Sequence, residues 1–167
     1  RWQVAGLDRL QERARAVSVE RLVPQVVRVR VDTADPRAGV TSRYDYLVFG
    51  SGDVVLEHTV ELAGEFPPLP RVGVKLVLPG ECQEFAWYGR GPHETYADRK
   101  QGARVGVHRD TVCGQLVPYV TPQEYGNRTD VRWASLTVDD GAGLLAVGQP
   151  ALNVSAPHST AHDLAQA

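Results

Sequence analysis

The sequence predicts an all-β fold built from antiparallel strands. Apolar and polar residues alternate in several runs, so that Val27, Val29 and Val31 fall on one side of an extended chain and Arg28 and Arg30 on the other. This alternation is the pattern of a half-buried strand. Turn-forming residues separate the runs at intervals of roughly a dozen residues, which is typical of antiparallel sandwiches. Helical patterns are almost absent.

Five strands are predicted from this alternation. They are centred on residues 27–31, 44–48, 54–62, 72–78 and 131–137. Turns are expected at residues 35–39, 51–53 and 139–143, where Gly, Pro, Asp and Ser are concentrated. Residues 66–70 are rich in proline and are expected to form a rigid corner before the strand at 72–78.

Helical patterns are confined to the two ends of the chain. Residues 8–15 are short and highly charged, and Ser159 is suited to cap a short helix over residues 159–167. No linker or low-complexity tract interrupts the 167 residues, of which 43% are hydrophobic. We therefore predict a single β-sandwich domain over residues 1–167. Because the chain lacks Met and begins at Arg1, we expect a fragment of a larger protein.

Composition excludes several classes of partner. The formal net charge is -2 and the basic residues are scattered, so we expect no nucleic acid partner. No apolar run reaches the roughly 18 residues that span a bilayer, so no membrane partner is expected. Cys82 and Cys113 show no paired-cysteine spacing. Free thiols in a cytoplasmic protein are the expected arrangement, although the sequence leaves a bridge between the two cysteines open.

Two runs of sequence stand out from the alternation. They are WYGRGPHETYADRK, residues 87–100, and PYVTPQEYGNRTDVRW, residues 118–133. Their density of Gly, Pro, aromatic and charged residues favours ordered loops over core strands. The candidate carbohydrate-binding or loop-structuring residues are Arg90, His93, Glu94, Asp98, Arg99, Glu124, Asn127 and Arg128.

Both runs closely resemble the C-terminal small-chain domain, domain 5, of LacZ-type β-galactosidases of glycoside hydrolase family 2. AGLDRL at residues 5–10 and PRVGVKLVLP at residues 70–79 fit the same domain. The resemblance implies an antiparallel supersandwich similar to the galactose mutarotase fold, within an enzyme that hydrolyses terminal β-galactosides such as lactose. It also implies the remaining domains of that parent enzyme and a second copy of it as partners, with β-galactoside bound by the parent.

We expect no catalytic residue within the chain. In the family, two glutamates act from a (β/α)8 barrel, and such a barrel needs at least about 200 residues with alternating helices. Glu94 with Asp98, and Glu124 with Asp130, are the carboxylate pairs of the two runs. Arginines adjacent to both pairs favour ionised, salt-bridged carboxylates over a protonated general acid.

Two alternative functions remain open at this level. A carbohydrate-binding module would use the aromatic faces and polar groups of the two runs. The aromatic residues available for it are Trp87, Tyr88, Tyr96, Tyr125 and Trp133. A mutarotase-like aldose epimerase would need groups such as His93 and His108 to converge on one cleft, and their spacing does not indicate this.

No cofactor or metal site is expected in this part of the enzyme. The histidines at 58, 93, 108, 158 and 162 fit no metal-binding motif. The parent, by the resemblance, uses divalent and monovalent cations. A fragment of a larger sandwich is also expected to expose apolar surface that its neighbours cover.

Overall fold

A computed structural model of the chain describes residues 2–121 and 123–159. The described residues form eight strands in two four-stranded antiparallel sheets, which confirms the predicted all-β class. Apart from strands, they form two 3-10 turns, Leu7–Arg9 and Cys113–Gln115. None of the helical structure in this part of the chain has the length and apolar character to cross a bilayer. The chain divides into two compact units, Arg1–Leu76 and Val77–Ala167, each holding one sheet.

The first unit is a meander of consecutive strands. Its strands are β1 (Arg13–Val23), β2 (Val26–Asp35), β3 (Val40–Phe49) and β4 (Val54–Leu62), in that spatial order. The strands predicted at 27–31, 44–48 and 54–62 are confirmed, as are the turns at 35–39 and 51–53.

Register places the apolar positions of this sheet on one face. Val17, Val31, Tyr44 and His58 are aligned across the four strands. The next aligned row, two residues along each strand, is also apolar, since successive same-face positions are two residues apart. Within the unit much of this face stays open, and the Val17 side chain is 62% exposed.

The opposite face of the same sheet carries charges that pair across strands. Asp45 of β3 accepts hydrogen bonds from Arg28 and Arg30 of β2, with closest nitrogen–oxygen distances of 2.6 and 3.0 Å. Asp32 pairs with Arg43 in the same way, at 2.7 Å. The guanidinium of Arg28, followed by that of Arg30, lowers the pKa of Asp45 to about 2.

The second unit holds the other sheet, in the order β6-β5-β7-β8. Its strands are β5 (Glu84–Gly91), β6 (Arg104–Thr111), β7 (Arg128–Thr137) and β8 (Gly143–Val154). Phe85, Trp87, Val131 and Ala134 form its buried core on one face. The strand predicted at 131–137 and the turn at 139–143 are confirmed.

Two local predictions fail, and a third cannot be compared because it falls outside the described residues. Residues 72–78 form no strand, and Val72, Val74 and Leu76 are exposed. An alternating pattern needs a hydrogen-bonding neighbour to become a strand, and this stretch has none among the described residues. Of residues 8–15, Asp8 and Arg9 belong to the 3-10 turn Leu7–Arg9, and residues 13–15 already form the start of β1. The helix expected at 159–167 lies outside the described residues beyond Ser159. The single domain over 1–167 stays a prediction.

The Asp45 cluster predicts acid sensitivity of the first sheet. A carboxyl whose pKa is lower in the folded than in the unfolded chain stabilises the fold above its unfolded pKa near 3.8, and that stabilisation is lost as pH falls through about 2. The protection factors of the β2 and β3 amides, which are exchange rates referred to those of the unfolded chain at the same pH, should therefore fall between pH 4 and pH 2. In Asp45→Asn the fall should be smaller, and an identical pH profile of the protection factors in both proteins would contradict the assignment.

Candidate functional site

The two sequence runs meet where β5 and β7 lie side by side. Trp87–Gly91 belongs to β5 and Arg128–Trp133 to β7, so the expectation that both runs consist of loops is wrong for these parts. Their glycines are tolerated in a strand because the neighbouring backbone approaches closely. A Cβ added at Gly89 would lie 2.9 Å from the Cα of Val131. Of the remaining residues, 92–100 form a loop that we call loop A, and 118–121 with 123–127 form a second that we call loop B.

Hydrogen bonds join loop A directly to loop B. The Thr95 backbone N–H donates to the Asn127 carbonyl, and the Asn127 side-chain amide donates to the Thr95 carbonyl, both at 2.7 Å. The hydroxyls of Thr95 and Thr129 lie 2.9 Å apart, and both residues are fully buried. The Thr129 N–H donates to Thr95 Oγ1 at 2.9 Å. The two loops are therefore one hydrogen-bonded structure.

Glu94 accepts hydrogen bonds from three different residues of loops A and B. Its Oε2 accepts the Gly126 N–H of loop B at 2.8 Å. Its Oε1 accepts the Tyr119 hydroxyl and Arg99 Nη2, the latter at 3.0 Å. The Arg99 guanidinium also lies over the Tyr96 ring, 4.4 Å from its centroid. Since the Glu94 side chain is only 10% exposed, its acceptor positions are turned inward to protein donors.

Asp130 holds the other end of the structure. It accepts Arg90 Nε at 2.5 Å and Lys100 Nζ at 3.0 Å, while Arg90 Nη1 donates to the Ala103 carbonyl. Hydrogen bonds from Arg90, and then from Lys100, hold the pKa of Asp130 below its usual range. Its backbone has φ 55°, a left-handed conformation that Asp adopts more readily than most residues. These interactions fix the point where loop B enters β7.

Arg128 is buried rather than presented to solvent. Its guanidinium carbon lies 4.7 Å from the Trp87 ring centroid, and the residue is 3% exposed. Burial lowers the pKa of Arg128, although the carboxylate of Glu94 partly offsets that effect. Trp87 in turn donates its Nε1–H to the Arg90 carbonyl at 2.9 Å. The cation therefore covers the core tryptophan and is not positioned to meet a ligand.

The other candidate residues occupy less constrained positions. His93 and Asp98 are exposed, and neither side chain makes a hydrogen bond with the part of the chain that the structure describes. The Glu124 backbone carbonyl accepts the Tyr96 hydroxyl at 3.3 Å. His108 packs against Trp87 with ring centroids 5.3 Å apart, so it lies on the core face of the sheet. His93, by contrast, is exposed in loop A.

The aromatic residues divide between the two faces of the sheet. Trp87 and Tyr125 are buried, whereas Tyr88 and Trp133 are direct cross-strand neighbours on the opposite face from Trp87. Arg132 lies 5.5 Å from the Tyr88 ring centroid. The high density of aromatic residues in the two runs is therefore explained by two separate surfaces.

Chemically, this arrangement supplies ion pairs and backbone contacts. Glu94 is paired with Arg99, and Asp130 is paired with Arg90 and Lys100, which hold the pKa of Asp130 below its usual range. Within residues 2–121 and 123–159, no three His, Cys, Asp or Glu side chains are grouped so that they could hold a metal ion. Both cysteines are free, Cys82 buried and Cys113 exposed.

Sequence inspection missed several residues of the structure. Thr95, Lys100 and Tyr119 contact the predicted candidates, and Thr129 contacts Thr95. They carry no sign in the sequence beyond their place inside the two runs, because ordinary Thr, Lys and Tyr residues serve many roles. Only Gly126, with φ 77°, could have been recognised as a turn glycine whose N–H is free to reach Glu94.

Comparison with known proteins decides the family. The model of the β-galactosidase small chain matches residues 1–167. This chain belongs to the β-galactosidase small-chain family. It is 35% identical over 159 residues to a β-galactosidase of Priestia megaterium, covering 95% of this chain and 15% of the relative. It is 41% identical over 135 residues to one of Vibrio cholerae, covering 79% of this chain and 13% of the relative.

A third relative gives the same picture. The β-galactosidase of an Arthrobacter species is 35% identical over 163 residues, covering 89% of this chain and 15% of the relative. The small-chain sequence thus spans about one seventh of the length of these relatives. These relatives are larger proteins of which this chain matches one part, and the family resemblance carried by the two runs is confirmed.

Glu94 provides a direct test of the loop structure. Replacing Glu94 with Gln removes a charge that accepts three hydrogen bonds, so the free energy of unfolding should fall by about 1–3 kcal/mol. Asp98→Asn, an equivalent change at an exposed neighbour, should alter it by less than about 0.5 kcal/mol. Urea denaturation measures both, and equal effects would show that the contacts of Glu94 contribute nothing specific.

Gly89 tests the close approach of β5 and β7. An alanine there would place its Cβ 2.7 Å from Cγ2 of the fully buried Val131, so Gly89→Ala should destabilise the chain by about 1–3 kcal/mol. Gly102 has no neighbour within 4 Å of an added Cβ, and Gly102→Ala serves as the control. Thermal melting of both variants measures the difference. A Gly89→Ala protein as stable as the control would disprove the predicted steric conflict.

Proposed function

We propose that this small-chain domain is a non-catalytic structural part of a β-galactosidase that hydrolyses terminal β-D-galactosides such as lactose. The catalytic glutamates of that enzyme lie in its other domains. The domain supports them as a rigid β-scaffold, and loops A and B shape one of its docking surfaces. The galactoside is bound by the parent enzyme.

The observation that carries this proposal is that Glu94 of loop A and Asp130 of β7 are both held by protein donors. A retaining glycosidase needs one ionised nucleophile and one protonated acid about 5–5.5 Å apart. Glu94 is hydrogen-bonded to Arg99, Tyr119 and Gly126, and Asp130 is paired with Arg90 and Lys100. Both Glu94 oxygens are therefore occupied by protein donors, and the lowered pKa of Asp130 leaves that carboxyl unsuited to donate a proton to a leaving group.

Exposed apolar side chains support the docking role. Within the first unit the apolar face of the sheet is largely open, with Val19 67% exposed. Within the second unit Val107 and Val147 are 60% and 65% exposed on the face opposite the buried core. Surfaces of this kind typically mark contacts with other protein. The remaining domains of the parent are the natural partners, since the relatives are several times longer than this chain.

The rest of the proposal follows from the family resemblance. The parent acts in the cytoplasm as a homo-oligomer, and it uses divalent and monovalent cations bound outside the small-chain domain. Free thiols at Cys82 and Cys113 are compatible with that compartment.

Activity of the full-length enzyme tests the non-catalytic role. We expect Glu94→Gln and Asp130→Asn to change kcat for a nitrophenyl β-galactoside by less than about threefold, measured well below the melting temperature. A positioned acid or base would instead contribute about 10²–10⁴-fold. A folded Glu94→Gln enzyme that loses more than 100-fold in kcat with unchanged KM would overturn the proposal.

Sugar titration separates the structural role from a carbohydrate-binding role. Calorimetry with galactose, which the enzyme does not hydrolyse, should give the same stoichiometry in the full-length wild-type enzyme and in the double variant Arg99→Gln/Asn127→Ala. Loss of one binding event per subunit in the variant would favour the carbohydrate-binding module.

A further inference from the structure

A cysteine and a histidine far apart in sequence lie in contact on the surface of the second unit. Cys113 Sγ and His158 Nε2 are 3.3 Å apart across 45 residues of sequence. Both residues are exposed. They take no part in the loop A and loop B structure, and the proposed function does not use them.

The fold holds Cys113 in a defined position. It begins the 3-10 turn Cys113–Gln115, and the preceding residue, Val112, donates its N–H to the Gln83 carbonyl at 2.9 Å. Two residues later, Gln115 is fully buried and donates its side-chain amide to Asp110 at 2.8 Å. The turn is therefore anchored on both sides of the thiol.

His158 is anchored from the other end of the unit. It follows β8, and Ala156, two residues before it, packs against the core cluster around Phe85 and Trp87. Pro157 limits the backbone freedom between that anchor and the imidazole. Two independently anchored segments thus bring a nucleophile and a base to hydrogen-bonding distance, which is the geometry of an activated thiol.

We propose that Cys113 is a site of S-thiolation by low-molecular-weight disulfides, with His158 as its general base. The thiol proton passes from Sγ to His158 Nε2 while the sulfur attacks one sulfur atom of the disulfide. The disulfide S–S bond breaks, a new S–S bond forms to Cys113, and the departing thiolate takes up the proton from His158. The disulfide is the oxidant, so one mixed disulfide and one free thiol are produced.

The second cysteine provides an internal control. Cys82 is 7% exposed and has no histidine partner among the described residues. Thiol exchange requires access to the sulfur as well as deprotonation, so Cys82 should be inert in the folded protein. Trypsin separates the two, because Cys113 falls in the peptide of residues 110–128 and Cys82 in that of residues 76–90.

The experiment follows modification of the intact parent polypeptide by glutathione disulfide at pH 7, with quantification of the two tryptic peptides by mass spectrometry. The compared proteins are the wild type, His158→Gln and His93→Gln, the last replacing an exposed histidine elsewhere in the same unit. Circular dichroism melting confirms that each variant is folded. Hydrolytic activity is not the readout, so the result is independent of the proposed function.

We expect Cys113 to gain a glutathionyl group at least about tenfold faster in the wild type than in His158→Gln, because a positioned base contributes a factor of this order or more. His93→Gln should react like the wild type, and Cys82 should stay unmodified until urea is added. Equal Cys113 rates in the wild type and His158→Gln would overturn the proposal. So would equal rates at Cys82 and Cys113, or no reaction at Cys113 in the folded polypeptide.

Discussion

The antiparallel pairing of β5 with β7 is the interaction on which the second unit depends. It aligns residues 84–88 with residues 133–137 and so brings together the two runs, which residues 101–117 separate in the chain. The same pairing delivers Glu94 to the Gly126 N–H and Asp130 to Arg90. Without it Glu94 would lose the Gly126 N–H and Asp130 would lose Arg90, so ordering the two loops would cost conformational entropy with less compensation.

The fold was predictable where one face of a strand is buried and the other is solvated. Strands β2, β3, β4 and β7 show this alternation, and all four were identified. Strand β1 is exposed along its whole length and was not predicted, although Val17 and Val19 alternate with Ser18 and Glu20 in its sequence. Strand β5 contains Gly89 and Gly91, which are unfavourable for strands in general but are required here by the close packing of Val131 and His108. The alternation at residues 72–78 predicted a strand wrongly. An alternating sequence shows that its residues are compatible with a strand, but it does not show that a partner strand is present.

The residue types of the candidate site could be predicted from the sequence, but most contacts between its side chains could not. Arginines near Glu94 and Asp130 indicated ion pairs, and Arg99 and Arg90 do form them. No sequence rule could assign Lys100 as a second partner of Asp130, or place the Arg128 cation over Trp87 inside the sheet. These contacts depend on strand register and on a left-handed residue at Asp130, and both are set by tertiary structure. Composition therefore identifies the family, while the pairing of individual side chains explains why its loops hold their shape.

Glu94 of loop A and Asp130 of β7 act as structural partners of specific donors. A double-mutant cycle between Glu94→Gln and Tyr119→Phe, read as free energies of unfolding, tests it most directly, because the two side chains share a hydrogen bond between loops. We expect a coupling energy of at least about 0.5 kcal/mol, as found for residues in one hydrogen-bonded network. Strict additivity of the two substitutions would contradict it.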